Sequence, residues 1–388
     1  MHQHYTRLYI IAGEPSGDRL GARLMKAFKK HQPNLIIKGI GGIEMQQNGL
    51  ESLFNIQFLS IMGLEAFSKL FDLYRLLQHT IQDIAHFKPD IILTIDSPGF
   101  TKRVIQKLQT DPNIFKIHYV APSVWAWKPG RAIKYAKLYD LLLCILPFEP
   151  KYFISKGLDT HFIGHPICTQ DDLIKARKNA IFDPSLIALI PGSRHGEIKR
   201  HLPLMLDFAA KITKQYPYLR FIIPTLPTTT GLIDAICETH NLSKSLKIDK
   251  IPAETRFNQL ANARLAIVAS GSVALELAFL NIATIILYKI SIISTILTKL
   301  LVKSRYAHIL NIVADQQIVP ELLREKANLS ELTQHTLHLL EEKNAIAQIE
   351  NLKPYMQTLN APQNEDSADL AIKIIFEKFK KHVANQSK

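Results

Sequence analysis

Apolar runs of strand length recur along the chain, and a Gly, Pro, Ser or Asp turn and then an amphipathic stretch follow most of them. Continuous apolar strands that alternate with helices are typical of a parallel sheet covered by helices on both faces. The sequence therefore predicts an α/β protein. The predicted strands are 8–12, 91–95, 114–120, 141–145, 187–190, 221–223, 265–269 and 284–287.

The strand–turn–helix pattern begins twice, at residues 8–13 and again at 187–192. Between the two starts, Phe162-Ile-Gly-His-Pro166 precedes a polar helical stretch at 170–179. We predict two Rossmann-like, doubly wound domains that face each other across a cleft, with ligands at the carboxyl ends of the strands. The predicted domains are 1–166, joined by a C-terminal helix of about 350–388, and 167–349.

Composition narrows the partners of this fold. The chain has 388 residues, of which 47% are apolar and 21% charged, so it can bury a substantial core. Lys and Arg exceed Asp and Glu by 47 − 34 = 13. Such an excess favours an anionic partner: a nucleic acid, an acidic lipid surface or a phosphorylated substrate.

Cysteine usage and hydropathy bear on the compartment. Cys144, Cys168 and Cys237 lie far apart without a C-x-x-C pair, which argues against disulfides and a cysteine-rich zinc site and favours a reducing cytoplasm. The apolar run near the N-terminus is too short for a signal peptide. The most apolar region, 282–302, contains two lysines, so we expect a chain that is soluble or lies on a membrane.

Two turns of the first half carry candidate chemistry. Ala12-Gly-Glu-Pro-Ser-Gly-Asp18 joins a strand to a helix, where glycines and a helix N-terminus suit an anion, although Ser16 or Asp18 could be a plain N-cap. Asp96, in Thr94-Ile-Asp-Ser-Pro-Gly-Phe100, ends a strand. Its carboxylate could be a general base, a helix cap or an acceptor for a sugar hydroxyl.

Both tryptophans of the chain lie in the segment His118 to Arg131, after a strand and among basic residues. Because exposing Trp is costly, Trp125 and Trp127 indicate an apolar or stacking ligand, or an inter-domain contact. The alternative is that both rings pack onto the core.

Two turns of the second half suit a phosphate. Ile190-Pro-Gly-Ser-Arg-His-Gly-Glu197 combines small residues, a fork-shaped cation and a helix start, as a diphosphate cradle requires. Ala269-Ser-Gly-Ser-Val-Ala-Leu-Glu276 has a similar form. Together they indicate a nucleoside diphosphate held without a catalytic metal. Glu276 could accept ribose hydroxyls or complement the helix dipole.

Two stretches combine apolar bulk with positive charge, at Ile61 to Leu77 and at Ile292 to Arg305. A basic amphipathic helix is typical of a membrane surface, and core packing is the alternative for both.

Taken together, these motifs resemble those of the lipid-A-disaccharide synthases, bacterial glycosyltransferases of the inverting GT-B type. Their order is preserved over more than 300 residues. The motifs are AGEPSGD at 12–18, GIGG with Met45, IMGLEAF at 61–67, DSPGF at 96–100, YVAPSVWAW at 119–127, LPFEP at 146–150, IGHP at 163–166, LIPGSR at 189–194, ASGSVALE at 269–276 and VPELL at 319–323.

The resemblance implies a reaction and its partners. The 6-hydroxyl of 2,3-diacylglucosamine 1-phosphate attacks the anomeric carbon of UDP-2,3-diacylglucosamine, UDP leaves, and a β-1,6 disaccharide forms with inversion. The resemblance also implies no metal or other cofactor, and a place on the anionic cytoplasmic face of the inner membrane. It leaves open whether the chain forms a homodimer.

On the same resemblance, Asp96 is the candidate base and Glu14 lies beside it. Arg194 and Asn311 match positions that contact UDP. The other expected UDP-binding residues, from the two phosphate-type turns, are Gly192, Ser193, Ser270, Gly271, Ser272 and Glu276. The expected acceptor or lipid-binding residues are Ser16, Met62, Trp125 and Trp127.

Three positions depart from the family pattern. Gly99 replaces a second acid, which leaves Asp96 as the only carboxylate of its motif. Leu310 stands where a proline usually precedes Asn311, and Arg324 replaces a glutamine. These two changes bear on the geometry around Asn311.

Two rival functions can be weighed against the motifs. Other enzymes of this fold that use UDP-sugars, such as epimerases or peptidoglycan glycosyltransferases, do not share the paired tryptophans together with AGEPSGD and DSPGF. A nucleic-acid-binding protein would need clustered Lys and Arg with interleaved aromatic residues, whereas the basic residues here are dispersed along the sequence. We therefore expect no nucleic-acid partner.

Overall fold

The computed structural model describes residues 6–62, 70–109, 111–240, 246–269, 271–289 and 304–386. Strands and helices alternate along them. The strands are β1 (Arg7–Ala12), β2 (Ile36–Ile40), β3 (Ile91–Ile95), β4 (Phe115–Tyr119), β5 (Leu141–Cys144), β6 (Asp159–Phe162), β7 (Asp183–Ile190), β8 (Arg220–Thr225), β9 (Ile248–Pro252), β10 (Ala263–Val268), β11 (Ala283–Tyr288) and β12 (Glu321–Leu323).

Helices connect nearly all of these strands, with short 3₁₀ turns between some of them. The helices are α1 (Pro15–His31), α2 (Ile43–Gln47), α3 (Gln57–Met62), α4 (Leu70–Phe87), α5 (Thr101–Lys107), α6 (Arg131–Ala136), α7 (Pro150–Ile154), α8 (Asp171–Lys178), α9 (His195–Gln215), α10 (Thr230–Thr239), α11 (Arg256–Leu260), α12 (Ser272–Phe279), α13 (Ile309–Ala314), α14 (Leu329–Leu340), α15 (Glu342–Gln357) and α16 (Ser367–Gln386).

The chain divides into two compact units, Met1–Pro166 with Leu359–Lys388, and Ile167–Thr358. The sequence placed the chain from about residue 350 with the first domain, whereas residues 350–358 belong to the second unit. Helix α15 explains the difference, because it runs without a break to Gln357 and buries Leu352. It packs against α12, α13 and β11 of the second unit.

The first unit contains a six-stranded parallel sheet in the order β2-β1-β3-β4-β5-β6. Alternate side chains of β1 enter different cores: Leu8 and Ile10 pack with α1 and α16, and Tyr9 and Ile11 pack with α4 to α7. Helices therefore cover both faces, which is why nearly every residue of the central strands is apolar.

The second unit contains another six-stranded parallel sheet, in the order β12-β11-β10-β7-β8-β9. Helices α9 and α14 pack against one of its faces. Counted within the unit, this is the strand order 3-2-1-4-5-6 of a Rossmann fold. The predicted α/β class with two Rossmann-like doubly wound domains is confirmed.

All eight predicted strands are present, and the four strands that the sequence did not predict are the edges of the two sheets: β2, β6, β9 and β12. An edge strand is partly exposed, so it needs no continuous apolar run. β9, Ile-Asp-Lys-Ile-Pro, illustrates this, because only Ile251 of its five residues is buried.

The two stretches predicted to contact a membrane lie partly outside the described residues. Of the stretch Ile61 to Leu77, the structure describes the end of α3 and α4 from Leu70 onward. Of the stretch Ile292 to Arg305, it describes only Ser304 and Arg305, so that prediction is untested.

Candidate active site

Each sheet has one pair of neighbouring strands from which the chain continues in opposite directions along the sheet, and this is its topological switch point. Ligands of open α/β sheets bind there, outside the carboxyl ends of the strands. In the second unit this switch point lies between β7 and β10. The two phosphate-type turns follow these two strands. A hydrogen bond joins the turns, because the Ala269 N–H donates to the Ile190 carbonyl at 2.8 Å.

Glu197 organises the turn after β7. The N–H groups of Ser193 and Arg194 donate to its Oε2 at 3.2 and 3.3 Å, and the Arg194 guanidinium lies 3.0 Å from its Oε1. Gly192 has a φ of 111°, and a side chain there would collide with Glu197. The turn thus aims two N–H groups and a cation at one carboxylate. A diphosphate that uses these groups has to share them with Glu197 or displace it.

His201, in α9, fixes the same turn through its ring nitrogens, and no sequence motif marks it. The Lys289 N–H donates to His201 Nε2 at 3.0 Å, so Nε2 carries no proton. Nδ1 therefore carries the ring proton and donates it to the Pro191 carbonyl, also at 3.0 Å. The buried neutral ring joins the turn after β7 to the end of β11. Burial lowers the pKa of this imidazole from its usual 6.5.

We expect His201→Ala to destabilise the second unit by about 1–3 kcal/mol, because it leaves the Pro191 carbonyl and the Lys289 N–H unpaired. It should also weaken UDP binding, and His201→Asn, which can still donate to Pro191, should restore part of both. Thermal unfolding and calorimetric titration measure the two effects, with the exposed His338→Ala as control. An unchanged UDP affinity in the alanine variant would limit His201 to a structural role.

The same ring makes a pH prediction for stability. Because its folded-state pKa is lowered, the stabilisation from neutral His201 is present above pH 6.5 and is lost as the pH falls through the lowered value. In His201→Asn, this loss of folding stability at low pH should become smaller.

The turn after β10 leads into α12. Gly271 adopts a φ of 152°, α12 begins at Ser272, and Ser270 lies outside the described residues. Glu276, in this helix, is nearly buried and pairs with Arg256 at 3.2 Å. The Glu276 carboxylate thus has a partner, Arg256, besides the ribose hydroxyls and the helix dipole that the sequence suggested.

Asn311 is fully buried, and its side-chain amide is engaged on both sides. Its Nδ2 donates to the Val319 carbonyl at 2.9 Å and to Glu321 Oε1 at 2.8 Å. Its Oδ1 accepts from the N–H groups of Ile318 and Val319. A direct contact of this side chain with UDP, as the resemblance implies, would have to replace one of these bonds.

The two departures near Asn311 have local structural effects. Leu310 is fully buried in α13, and its N–H donates to His308 Nδ1 at 3.1 Å. A proline there would lack this N–H. Arg324 adopts a φ of 57° at the end of β12.

In the first unit the switch point lies between β1 and β3, and the turns after these strands carry Glu14 and Asp96. The turns pack together, because a side chain at Gly13 would collide with the Ser97 hydroxyl. Glu14 is exposed at the N-cap of α1 and makes no capping hydrogen bond. Ser16 is exposed in the first turn of α1.

Asp96 occupies a strained backbone position. It and Ser97 adopt φ values of 49° and 47°, which are uncommon outside glycine and recur at functional sites. The helix-cap alternative does not hold, since α5 begins at Thr101 and its N-cap, Phe100, makes no side-chain bond. Burial raises the pKa of the Asp96 carboxyl, and a hydrogen bond from the Ser97 backbone partly offsets this. A carboxylate with a raised pKa is a stronger base.

Asp18 has a structural role. Its carboxylate is nearly buried and accepts N–H bonds from Gly42, Glu44 and Met45 at 2.7, 2.9 and 3.0 Å. It thereby caps the start of α2 rather than its own helix.

The two tryptophans differ. Trp125 is half-buried against Phe148, and its Nε1 lies 3.4 Å from the buried carboxylate of Glu149, whose pKa burial raises to about 7. Trp127 is 37% exposed. Packing onto the protein thus accounts for Trp125 but leaves Trp127 open to a ligand. Met62 ends α3, and its side chain lies outside what the structure describes.

Within the described part of the chain, no three His, Cys, Asp or Glu side chains lie together as metal ligands. The supporting residues that sequence reasoning missed, His201, Glu149 and the partner of Glu276, Arg256, are single polar residues among apolar neighbours. No local spacing distinguishes them from surface residues, and only the fold shows their partners.

Two Rossmann-like units, each with its polar turns at the switch point, are the two halves of the GT-B fold. Solved structures share this fold. They include S. aureus MnaA with UDP (TM-score 0.63, 12% identity, 98% of each chain) and a glycosyltransferase from Rickettsia africae (TM-score 0.57, 14% identity, 99% of this chain and 100% of that one). At these identities the likeness concerns the fold alone.

Sequence comparison identifies the family. The lipid-A-disaccharide synthetase family model matches residues 8–375. The chain is 36% identical over 385 residues to the lipid-A-disaccharide synthase of Rickettsia akari, covering 96% of each, and 35% identical over 342 residues to that of Gluconobacter oxydans, covering 86% of this chain and 81% of the relative. The chain therefore belongs to the lipid-A-disaccharide synthase family and is a glycosyltransferase of lipid A biosynthesis.

Proposed function

We propose that the chain transfers 2,3-diacylglucosamine from UDP-2,3-diacylglucosamine to 2,3-diacylglucosamine 1-phosphate, giving the β-1,6 disaccharide 1-phosphate and UDP with inversion. The observation that supports this most is the placement of the candidate residues. Asp96 lies at the switch point of the first unit, and the Gly192–Arg194 turn lies at that of the second.

Asp96 acts as the general base in this proposal. Its carboxylate takes the proton of the acceptor 6-hydroxyl while that oxygen forms its bond to the anomeric carbon of the donor. The bond from this carbon to the diphosphate breaks on the opposite face, and UDP leaves with the electron pair. The raised pKa of Asp96 suits this role, provided that the group is ionised at the working pH.

The second unit holds the UDP group. The Arg194 guanidinium and the N–H groups of Ser193 and Arg194, which bond to Glu197 in this structure, turn to the departing diphosphate in this proposal. There they stabilise the negative charge that develops on it. Gly271 and Ser272 offer the second turn to the same group, and Ser270 stays an expected contact from the sequence. Glu276 and Asn311 stay the expected contacts to the rest of the nucleotide.

An assay with both acylated sugars tests the proposal. Incubation of the purified chain with donor and acceptor should yield UDP and the disaccharide 1-phosphate, and omission of either sugar should yield neither. Release of UDP without the acceptor, or no product with both sugars, would contradict it.

The exposed start of α4 supports contact with a lipid surface. Phe71 is 63% exposed and Tyr74 is 56% exposed, and Arg75 lies 4.4 Å from the Phe71 ring centre. Leu73 and Leu76 pack against the core. No helix within the described ranges is long and apolar enough to span a bilayer. We propose a peripheral place on an anionic membrane, with Phe71 and Tyr74 entering the interface.

Replacing Phe71 and Tyr74 with serine should reduce co-sedimentation with anionic vesicles and leave the unfolding temperature nearly unchanged, because both side chains are exposed. Phe182→Ser with Tyr218→Ser is a matched control, since these side chains are 62% and 54% exposed in the second unit. Equal loss of vesicle binding in both double variants would contradict a specific surface on α4.

A further inference from the structure

Four basic side chains converge in the first unit: Lys102 and Arg103 in the first turn of α5, and Arg131 and Lys134 one turn apart on α6. Lys102 is half-buried, and its pKa is lowered by burial and by the charges of Lys134, Arg131 and Arg103. Across the described ranges, none of the four lies within ion-pair distance of a carboxylate. We name these four residues the cationic cluster.

The helices of the cluster are neighbours. Val104 and Ile105 of α5 share one core with Ala132 and Tyr135 of α6. At the far ends of the helices, Gln109 Nε2 donates to the Lys137 carbonyl at 3.1 Å. The near ends lie at the carboxyl edge of the sheet, so the cluster lies on the same edge as the turn that carries the candidate base.

Tyr135 connects the cluster with Asp96. Its hydroxyl is buried, and no partner among the described residues lies within hydrogen-bonding geometry of it. The Arg131 guanidinium lies near enough to lower the pKa of this hydroxyl and Asp96 near enough to raise it, while burial brings the pKa to about 12. The charges of Arg131 and Asp96 therefore both act on one buried hydroxyl.

The cluster also has an apolar wall. Lys128 and Arg131 lie 4.4 and 5.7 Å from the ring centre of Trp127, which is partly exposed. A ligand that suits this place carries concentrated negative charge beside an apolar or sugar face. Four cations that form no ion pair with a described carboxylate match a phosphomonoester, whose charge at neutral pH is about −1.5 to −2.

We propose that the cationic cluster binds a phosphomonoester, and that this group is the 1-phosphate of the acceptor sugar, with Lys102 and Arg131 as its principal ligands. This rests on the proposed function. In the acceptor, the phosphate and the 6-hydroxyl are carried by one sugar ring. The cluster would thus select phosphorylated acceptors and turn the 6-hydroxyl toward Asp96. The lipid headgroups of a membrane offer the same phosphate chemistry from a different source.

The test compares two acceptors, one with the 1-phosphate and one with a free anomeric hydroxyl, in neutral detergent micelles. Wild type should prefer the phosphorylated acceptor in kcat/KM. In Lys102→Gln and in Arg131→Gln, the ratio of kcat/KM for the phosphorylated to the unphosphorylated acceptor should fall by about 10- to 100-fold. The fall should come mainly from a higher KM for the phosphorylated acceptor, because each change removes a charge-assisted hydrogen bond. Lys107→Gln and Lys137→Gln, at the opposite ends of the same helices, are the matched controls and should keep the preference.

Each other outcome overturns a distinct part of the idea. A wild type that makes product equally from both acceptors leaves the proposed function standing and removes the phosphate site. A wild type that makes no product overturns the proposed function itself. An effect of the variants seen only on anionic vesicles assigns the cluster to lipid headgroups. If Arg131→Gln does not fold, the exposed Lys134→Gln provides the same comparison.

Discussion

Asp96→Asn will lower kcat by about 10²–10⁴-fold, which is the usual contribution of general-base assistance. The amide has nearly the same shape but cannot take the proton of the acceptor hydroxyl. Asn tolerates positive φ as well as Asp does, so the strained turn at 49° should be kept. The unfolding temperature should therefore stay close to that of the wild type, and calorimetric UDP affinity should not change.

The pH profile adds a second readout for Asp96. The base works only when it is ionised, so the rate of the wild type should fall as the pH drops through the raised pKa of this carboxyl. That acid limb should disappear in Asp96→Asn. Glu14→Gln is the comparison, because Glu14 lies in the neighbouring turn, the one after β1. Near-normal turnover in Asp96→Asn, or a larger loss in Glu14→Gln, would assign the base elsewhere.

Arg194→Ala will weaken UDP binding by about 10- to 100-fold and slow turnover, because a charge-assisted contact to the diphosphate is lost. Its side chain is 76% exposed and pairs only with Glu197 within the described chain, so the fold should be unaffected. Arg194→Lys should restore binding in part, since an ammonium lacks the planar fork. Calorimetric titration with UDP measures the effect.

Lys199→Ala, on the exposed side of the same helix, is the control for Arg194 and should bind UDP normally. EDTA should leave wild-type activity unchanged if side chains and N–H groups alone stabilise the leaving group. UDP affinity unaffected by Arg194→Ala would remove this residue from the diphosphate site, and a clear loss of activity in EDTA would indicate that a metal takes part.

The sequence by itself determined the fold class, the eight central strands and the turns that carry the candidate chemistry. Central strands are buried on both faces, which requires unbroken apolar runs that are visible without any structure. The turns after them are marked by small residues, which allow close approach and tight bending, as at Gly13 and Gly192. The family motifs lie in these same turns, and so the resemblance could be recognised.

Only the tertiary structure decided which turns meet. Strand order makes β1 and β3 neighbours in one sheet and β7 and β10 in the other, although long segments separate them in the chain. The tertiary structure also revealed the partners of buried polar groups and the convergence of basic residues that are dispersed in the sequence. Whether a strand lies at the edge of a sheet, and which partner a buried polar group has, depend on contacts between distant segments of the chain. Local hydrophobic patterns contain no information on those contacts, because exposure and pairing are properties of the packed chain.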